Sequence, residues 1–261
     1  MNHCDTEPES GGLSSTLVAV IPVYRYADKL ESTIVRIQTQ KIGVIVVNDG
    51  SGIRVSQQIE EICQRRGCQL ISRKENGGKG AAIRDGLISA DDAGYSHVFQ
   101  VDGDGQHRLS QLDTFLSLIE DNPNSLILGT PVYDHSVPLG RRIGRWATHV
   151  WIWINTLSFD ISDSMCGYRI YPLASIVPIL KEGRCGQRMD FDPEICVRAH
   201  WKGVPVINWP IEVVYPKGGV SSFRLLEDNW LISKMHTRLF FGMLIRMPVL
   251  LCRKFMRRVR V

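Results

Sequence analysis

Residues 17–51 read LVAVIPVYRYADKLESTIVRIQTQKIGVIVVNDGS, and their pattern sets the fold class. Leu17 to Ile21 is an unbroken apolar run stopped by Pro22, and Val44 to Val47 is a second run stopped by the turn cluster Asn48-Asp49-Gly50-Ser51. Short apolar runs without polar alternation suit strands covered on both faces, as in a parallel sheet. Between them, over Ala27 to Ile37, Leu30, Ile34 and Ile37 recur at helical spacing, which makes the whole stretch a βαβ unit.

The same alternation extends outward. Ile53 to Arg66, Gly80 to Ala90 and Leu109 to Glu120 read as helices, while Gln69 to Ser72, His97 to Val101 and Ser125 to Gly129 read as strands. An open, mostly parallel α/β sheet flanked by helices is expected. After residue 130 the regularity fails: the aromatic-rich segment Arg141 to Phe159 is followed by loops, a helix near Pro193 to Trp201, and strands near Val204 to Asn208 and Ile211 to Tyr215. One or two amphipathic helices then cover Leu225 to Cys252. The chain divides into a mobile leader at 1–15, one domain at 16–224 and an amphipathic basic helical tail at 225–261.

Composition excludes several classes. Of the 261 residues 44% are hydrophobic, as in an ordinary globular protein. The net charge of +4 comes from the end of the chain, where Arg246, Arg253, Lys254, Arg257, Arg258 and Arg260 occur with no acid; without them 25 basic residues face 27 acidic ones. A near-neutral body with a basic tail fits no nucleic-acid partner and suits an anionic surface. The seven cysteines are scattered with no CxxC pair, which suits a reducing compartment and neither a disulfide scaffold nor a structural zinc site. Residues 1–15 carry three acids and no apolar run, unlike a secretory signal. Leu239 to Cys252, the most hydrophobic stretch, is interrupted by Arg246 and Pro248 and falls short of the ~20 residues of a spanning helix.

Ligands of open α/β sheets sit at the carboxyl ends of the strands, so the loops after the apolar runs hold the candidate site. They are Pro22-Val23-Tyr24, Asn48-Asp49-Gly50-Ser51 and Asp102-Gly103-Asp104-Gly105-Gln106-His107. Two carboxylates one residue apart at a glycine-rich turn form a hard-oxygen site for Mg²⁺ or Mn²⁺, and such a cation neutralises a diphosphate. Asn76-Gly77-Gly78-Lys79-Gly80-Ala81-Ala82 opens the preceding helix and offers N–H groups and a lysine to an anion. Taken singly, each motif is also an ordinary proline stop, acidic turn or helix-capping loop.

In order, these four motifs resemble the family 2 glycosyltransferases, in particular the dolichol-phosphate mannosyltransferase-like branch, over about residues 16 to 225. The resemblance implies a GT-A fold, Rossmann-like in its sheet, and inverting transfer from a UDP- or GDP-sugar with Mg²⁺ or Mn²⁺. By the same resemblance Pro22 and Tyr24 line the base and ribose pocket, Asp49 accepts a hydrogen bond from the base, and Lys79 and Gly80 belong to the loop that closes the donor pocket. Asp102 and Gly103 lie near the ribose, with Asp102, Asp104 and Gln106 at the metal. Asp163 to Arg169 resembles a segment beneath the acceptor side. Asp190 or Asp192 is the candidate base, although Asp192 before Pro193 also reads as a helix N-cap. Lys217 to Arg224 resembles a closing loop in which Lys217 and Arg224 neutralise the leaving diphosphate.

Two departures mark the sequence. Tyr26 stands where the branch usually has glutamate, and Gly129-Thr130-Pro131 where it has Gly-Ser-Arg, so Arg141, Arg142 and Arg145 either supply the charge or, for at least one of them, stand solvated on a helix. The expected acceptor is lipid-linked, with polyprenyl phosphate first and the hydroxyl of another membrane lipid second; a sugar nucleotidyltransferase and a silent binding module are the other readings. Trp146, Trp151 and Trp153 are read either as an acceptor surface or as core. The expected location is cytoplasmic, peripheral on the cytoplasmic face of the membrane, held there by the tail through Leu239, Phe240, Phe241, Met243, Leu244, Val249, Leu250 and Leu251.

Overall fold

The computed structural model describes residues 16–105, 109–132, 139–213 and 224–259; the leader, Gln106, His107 and Lys217 lie outside them. Side chains at 139–143, 225 and 257–259, including those of Arg141 and Arg142, are likewise outside the described set. In chain order the elements are β1 (Leu17–Val23), α1 (Leu30–Gln38), β2 (Gly43–Asn48), α2 (Ile53–Arg66), β3 (Gln69–Ser72), α3 (Lys79–Asp92) and β4 (His97–Gln100). A short 3₁₀ turn leads into α4 (Leu112–Asp121), followed by β5 (Leu126–Val132), α5 (Leu139–Thr156), β6 (Arg169–Pro172), α6 (Leu173–Lys181), α7 (Phe191–Lys202), β7 (Val206–Glu212) and α8 (Leu225–Val259).

The seven strands form one sheet in the order β3-β2-β1-β4-β6-β5-β7. Neighbours pair parallel except around β6, which runs antiparallel to both β4 and β5. The unbroken apolar runs are explained by burial on both faces: Val18, Val20, Ile45 and Val47 enter one core layer, and Leu17, Ala19, Ile21, Val44 and Val46 enter the other. Period-2 alternation divides each strand between the two layers.

Beyond residue 130 the sequence reading needs two corrections, and the aromatic segment, left unassigned, is a helix, α5. The stretch read as loops holds β6 and α6; Pro172 and Pro178 disguised them, yet Leu173, Ile176, Val177, Ile179 and Leu180 of α6 are buried. The two late strands are one strand, β7, which passes through Pro210 opposite Thr130. It lies at the sheet edge, where a missing N–H costs no ladder bond. The C-terminal region, expected as one or two helices, is one helix of 35 residues containing Pro248, packed on α5 and α7.

Candidate active site

Strand register gathers the predicted residues at one edge. Val23 of β1 sits beside Asn48 of β2, so Tyr24 and Asp49 leave the sheet together, and Asp49 N–H bonds to Val23 O at 2.9 Å. β4 ends lower, with Gln100 beside Val20, so the following residues run alongside the top of β1. A methyl group built on Gly103 would sit 3.2 Å from Ile21 and 3.7 Å from the Pro22 carbonyl, a close approach that glycine allows. Pro22, Tyr24, Asp49, Asp102 and Gly103 are therefore neighbours, with exposed Asp104 at the tip.

Lys79, the first residue of α3, supplies the positive charge. Its ammonium lies 2.8 and 3.0 Å from the two oxygens of Asp102 and 3.1 Å from Asp192 Oδ2. Burial works against that charge, but Asp102 and Asp192 outweigh it and hold Lys79 protonated above the ordinary lysine range. On the other side of Asp192, the fully buried Arg169 donates to the Asp192 carbonyl at 3.1 Å and to the carbonyls of Cys166 and Ser164, its guanidinium 3.6 Å from the Asp192 carboxylate. Two cations thus balance two carboxylates. Gly167 completes the arrangement, because a methyl group there would meet Asp102 Oδ2 at 2.3 Å.

The donor atoms at this edge are carboxylate oxygens, the chemistry of a hard divalent cation. Among the described residues no three His, Cys, Asp or Glu side chains form a metal cluster alone. A cation on Asp102 and Asp104 would complete its shell with water and diphosphate oxygens, as Mg²⁺ does in phosphate-handling sites. The residues present fit that group.

Asp49 organises the glycine loop. Its carboxylate accepts from Gly77 N–H at 2.9 Å, Gly78 N–H at 2.9 Å and Asn76 Nδ2 at 2.8 Å, with Arg73 Nε at 3.0 Å. Burial pushes its carboxyl upward, against the pull of those two N–H groups and Arg73. Three N–H donors thus bond its two oxygens, and the Arg73 guanidinium faces them as a charge without a hydrogen bond. The loop then turns at Gly78, φ +97°, where any side chain would be strained and would strike Arg188 and the Gln187 carbonyl.

Other expected residues make contacts different from those expected. Asp192 is not a helix cap: α7 begins at Phe191, two residues before Pro193, so Asp192 is already helical and its carboxylate serves Lys79 and Arg169. Asp190 holds the cap position but accepts the Arg188 N–H at 3.0 Å instead. Arg224 pairs with Glu227 at 2.5 Å, and its N–H donates to Asp228 at the start of α8. Arg145 is not a solvated charge; it grips Asp163 with two bonds of 2.6 and 2.8 Å. Trp146 and Trp151 are exposed rather than core, whereas half-buried Trp153 donates to the Ile161 carbonyl. Sequence reasoning missed Gly167 and Arg169 as supports of Asp102 and Asp192. An arginine next to a tyrosine in a short segment carries no signal that it will be wholly buried.

The fold and this edge together define a nucleotide-sugar-type α/β transferase. The chain belongs to glycosyl transferase family 2, whose model matches residues 18–176, and with that the nucleotidyltransferase reading falls. It is 24% identical over 213 residues to an uncharacterized protein of Methanocaldococcus jannaschii, covering 78% of this chain and 91% of that protein. It is 26% identical over 214 residues to a dolichyl-phosphate beta-glucosyltransferase of Trichomonas vaginalis, covering 74% of this chain but 64% of the relative, so it spans somewhat less than two thirds of that enzyme. Among solved structures, glucosyl-3-phosphoglycerate synthase of Mycobacterium tuberculosis, in complex with Mn²⁺, UDP and its product, superposes with a TM-score of 0.60 at 15% identity, over 92% of this chain and 85% of that one. That likeness establishes the GT-A architecture.

Proposed function

We propose that this glycosyltransferase moves a sugar from a UDP- or GDP-sugar, with inversion, to a lipid-linked phosphate such as polyprenyl phosphate. The observation that carries the reading is Asp102, held by Lys79 and Gly167 at the strand edge beside Asp104. A relative named for dolichyl phosphate supports the acceptor class, and a solved neighbour holding Mn²⁺ and UDP supports the donor class.

In this reading Pro22 and Tyr24 flank the base and ribose, and Asp49, whose carboxylate already holds the glycine loop, accepts a further hydrogen bond from the base. Asp102, Asp104 and Gln106 hold Mg²⁺ or Mn²⁺, which when bound neutralises the diphosphate. Lys79, Gly80 and the N-terminus of α3 add fixed positive potential at the donor pocket, and Lys217, together with Arg224 once it leaves Glu227, would neutralise the leaving diphosphate. Asp192 is shared by two cations and Asp190 is turned to a backbone N–H, so neither carboxylate is poised as a base. That favours a phosphate acceptor, already an anion, over a hydroxyl that needs deprotonation.

Attachment to the cytoplasmic membrane face belongs to the same proposal, with a revised set of anchors. Leu239, Met243 and Leu250 are buried against the domain, but Trp230, Phe241, Leu244, Ile245, Leu251 and Phe255 are exposed on α8, and Trp146, Trp151 and Phe159 are exposed on and just after α5. No acid follows Asp228 in the helix. No helix of the described residues is long and apolar enough to cross a membrane. A peripheral helix that offers apolar area and cations suits an anionic interface. The test is turnover of a panel of UDP- and GDP-sugars with Mn²⁺ and polyprenyl phosphate in anionic vesicles. A sugar-phosphate-lipid product is expected with one donor and none in excess chelator; transfer to water-soluble acceptors only would overturn the reading.

A further inference from the structure

Glu194 is wholly buried in the first turns of α7 and takes part in none of the contacts described above. Its Oε1 accepts from Arg198 Nε at 2.8 Å and Nη2 at 2.6 Å; its Oε2 accepts from Gly186 N–H at 2.9 Å and from Arg238 of α8 at 2.5 Å. One carboxylate therefore joins three parts of the fold: α7, α8 and the segment before α7.

That segment, residues 186–190, lies on the glycine loop. The Gln187 carbonyl accepts the Ala81 N–H at 2.9 Å, and the segment leaves no room for a side chain at Gly78, while Phe191 and Gln187 leave none at Gly80. Lys79 lies between those two glycines with its ammonium on Asp102 and Asp192. A shift of Gly186 would thus be felt at Lys79 through rigid backbone contacts, because close-packed interiors transmit displacement.

We propose that Glu194 is a positioning residue for the nucleotide-binding loop, fixing residues 186–190 on the N-terminus of α3 and tying that loop to α8 through Arg238. The functional part rests on the donor reading above; the structural part does not. Half of the Arg238 side chain is exposed, so its loss disturbs the core little, and Arg238→Met keeps the aliphatic stem while removing the link. Glu194→Gln keeps the size and an acceptor for Gly186 but removes the charge.

The experiment is run on the full chain. Hydrogen exchange of the amides at 77–82 and 186–190 is compared in wild type, Arg238→Met and Glu194→Gln, together with binding of UDP and GDP in Mn²⁺ and, where a donor turns over, kcat and KM. Since a hydrogen bond to a charged group contributes enough for about a tenfold effect, nucleotide Kd and donor KM are expected to rise about tenfold with kcat nearly unchanged. Exchange at 77–82 should quicken in both variants. Lower thermal stability with unchanged exchange at 77–82 and unchanged nucleotide Kd would make Glu194 merely structural and overturn the proposal. If Glu194→Gln does not fold, Arg238→Met decides by the same readouts. Absence of nucleotide binding or turnover in wild type would count against the donor reading, while the exchange comparison still decides the link.

Discussion

Gly167 has no side chain, and the carboxylate of Asp102 uses the space. In Gly167→Ala the new methyl group would force that carboxylate away from Lys79 and from the cation position. Misplacing a supporting group of this kind costs about 10–100-fold, so kcat/KM should fall by that factor with a much smaller change in melting temperature. Wild-type turnover in the variant would show that the position of Asp102 does not matter. Asp104→Ala should be more severe, because it leaves the diphosphate charge uncompensated: we expect a loss of at least about a hundredfold, and titration with Mn²⁺ should not restore it. Lys79→Met leaves Asp102 and Asp192 side by side without their shared cation, a loss of about 3 kcal/mol for breaking a largely buried pair. The variant should therefore denature at a lower midpoint than wild type at neutral pH, and an unchanged midpoint would reject the pairing.

At the scale of elements, the opposite faces of α8 should respond differently. Leu239→Ala empties a fully buried position between α8 and the domain and should cost about 2–5 kcal/mol. Ile245→Asp, at a residue 80% exposed, should leave the melting temperature nearly unchanged but weaken sedimentation with anionic vesicles. Equal sedimentation of this variant and wild type would remove α8 from the proposed anchor. Between α8 and α5, His236 is buried against Trp151, its rings 5.9 Å apart, and near Asn155 at 3.2 Å. Burial pushes its pKa from 6.5 down to about 4, so the unfolded chain takes up the proton first on acidification. Stability from the neutral imidazole is complete above pH 6.5 and is lost as pH falls from 6.5 to about 4, by about 3 kcal/mol in all. Denaturation midpoints of wild type and His236→Leu across that window check this; identical slopes would refute it. The early elements were legible because β1, β2 and the helices between them repeat one rule, apolar strand then amphipathic helix. α6 and β7 were not, because Pro178 and Pro210 are breakers by local propensity and only tertiary packing or an edge position accommodates them. In the site, the strand-end carboxylates and Lys79 were legible as charges placed at glycine turns. Their partners Arg169 and Gly167 were not, since the contacts come from the antiparallel β6 and the segment before it, whose placement beside β4 no local pattern announces.

Over the whole molecule, one sheet carries the candidate site on strands β1, β2 and β4, while the later helices α5 and α8 present aromatic side chains outward. In the proposed reaction the first would take the water-soluble donor and the second would face the lipid. The basic excess is confined to the last twenty-one residues, which suits the proposed membrane contact of α8. Sequence reasoning could assign the two halves but not join them, because the joints, Lys79 to Asp192 and Glu194 to Arg238, connect residues 113 and 44 positions apart.

The position of β6 bears on how the chain is made. Strand β4 is complete at Gln100, yet its neighbour across the sheet begins only at Arg169, and β5, already synthesised, must wait on the far side of that gap. On a ribosome that adds about 5–20 residues per second, the open edge of β4 and both edges of β5 stay unpaired for several seconds before the central strand arrives. An unpaired apolar edge is a template for other chains. Protein stalled during synthesis between residues 132 and 169 should be the form most dependent on chaperones, and release from a stall just after Pro172 has left the exit tunnel should sharply reduce that dependence, leaving only the outer edge of β5 open until β7 arrives. Ribosome-bound intermediates of graded length, probed by limited proteolysis with and without added holdase, would reveal a sharp gain in resistance at that point; a gradual gain would mean that the sheet closes in another order.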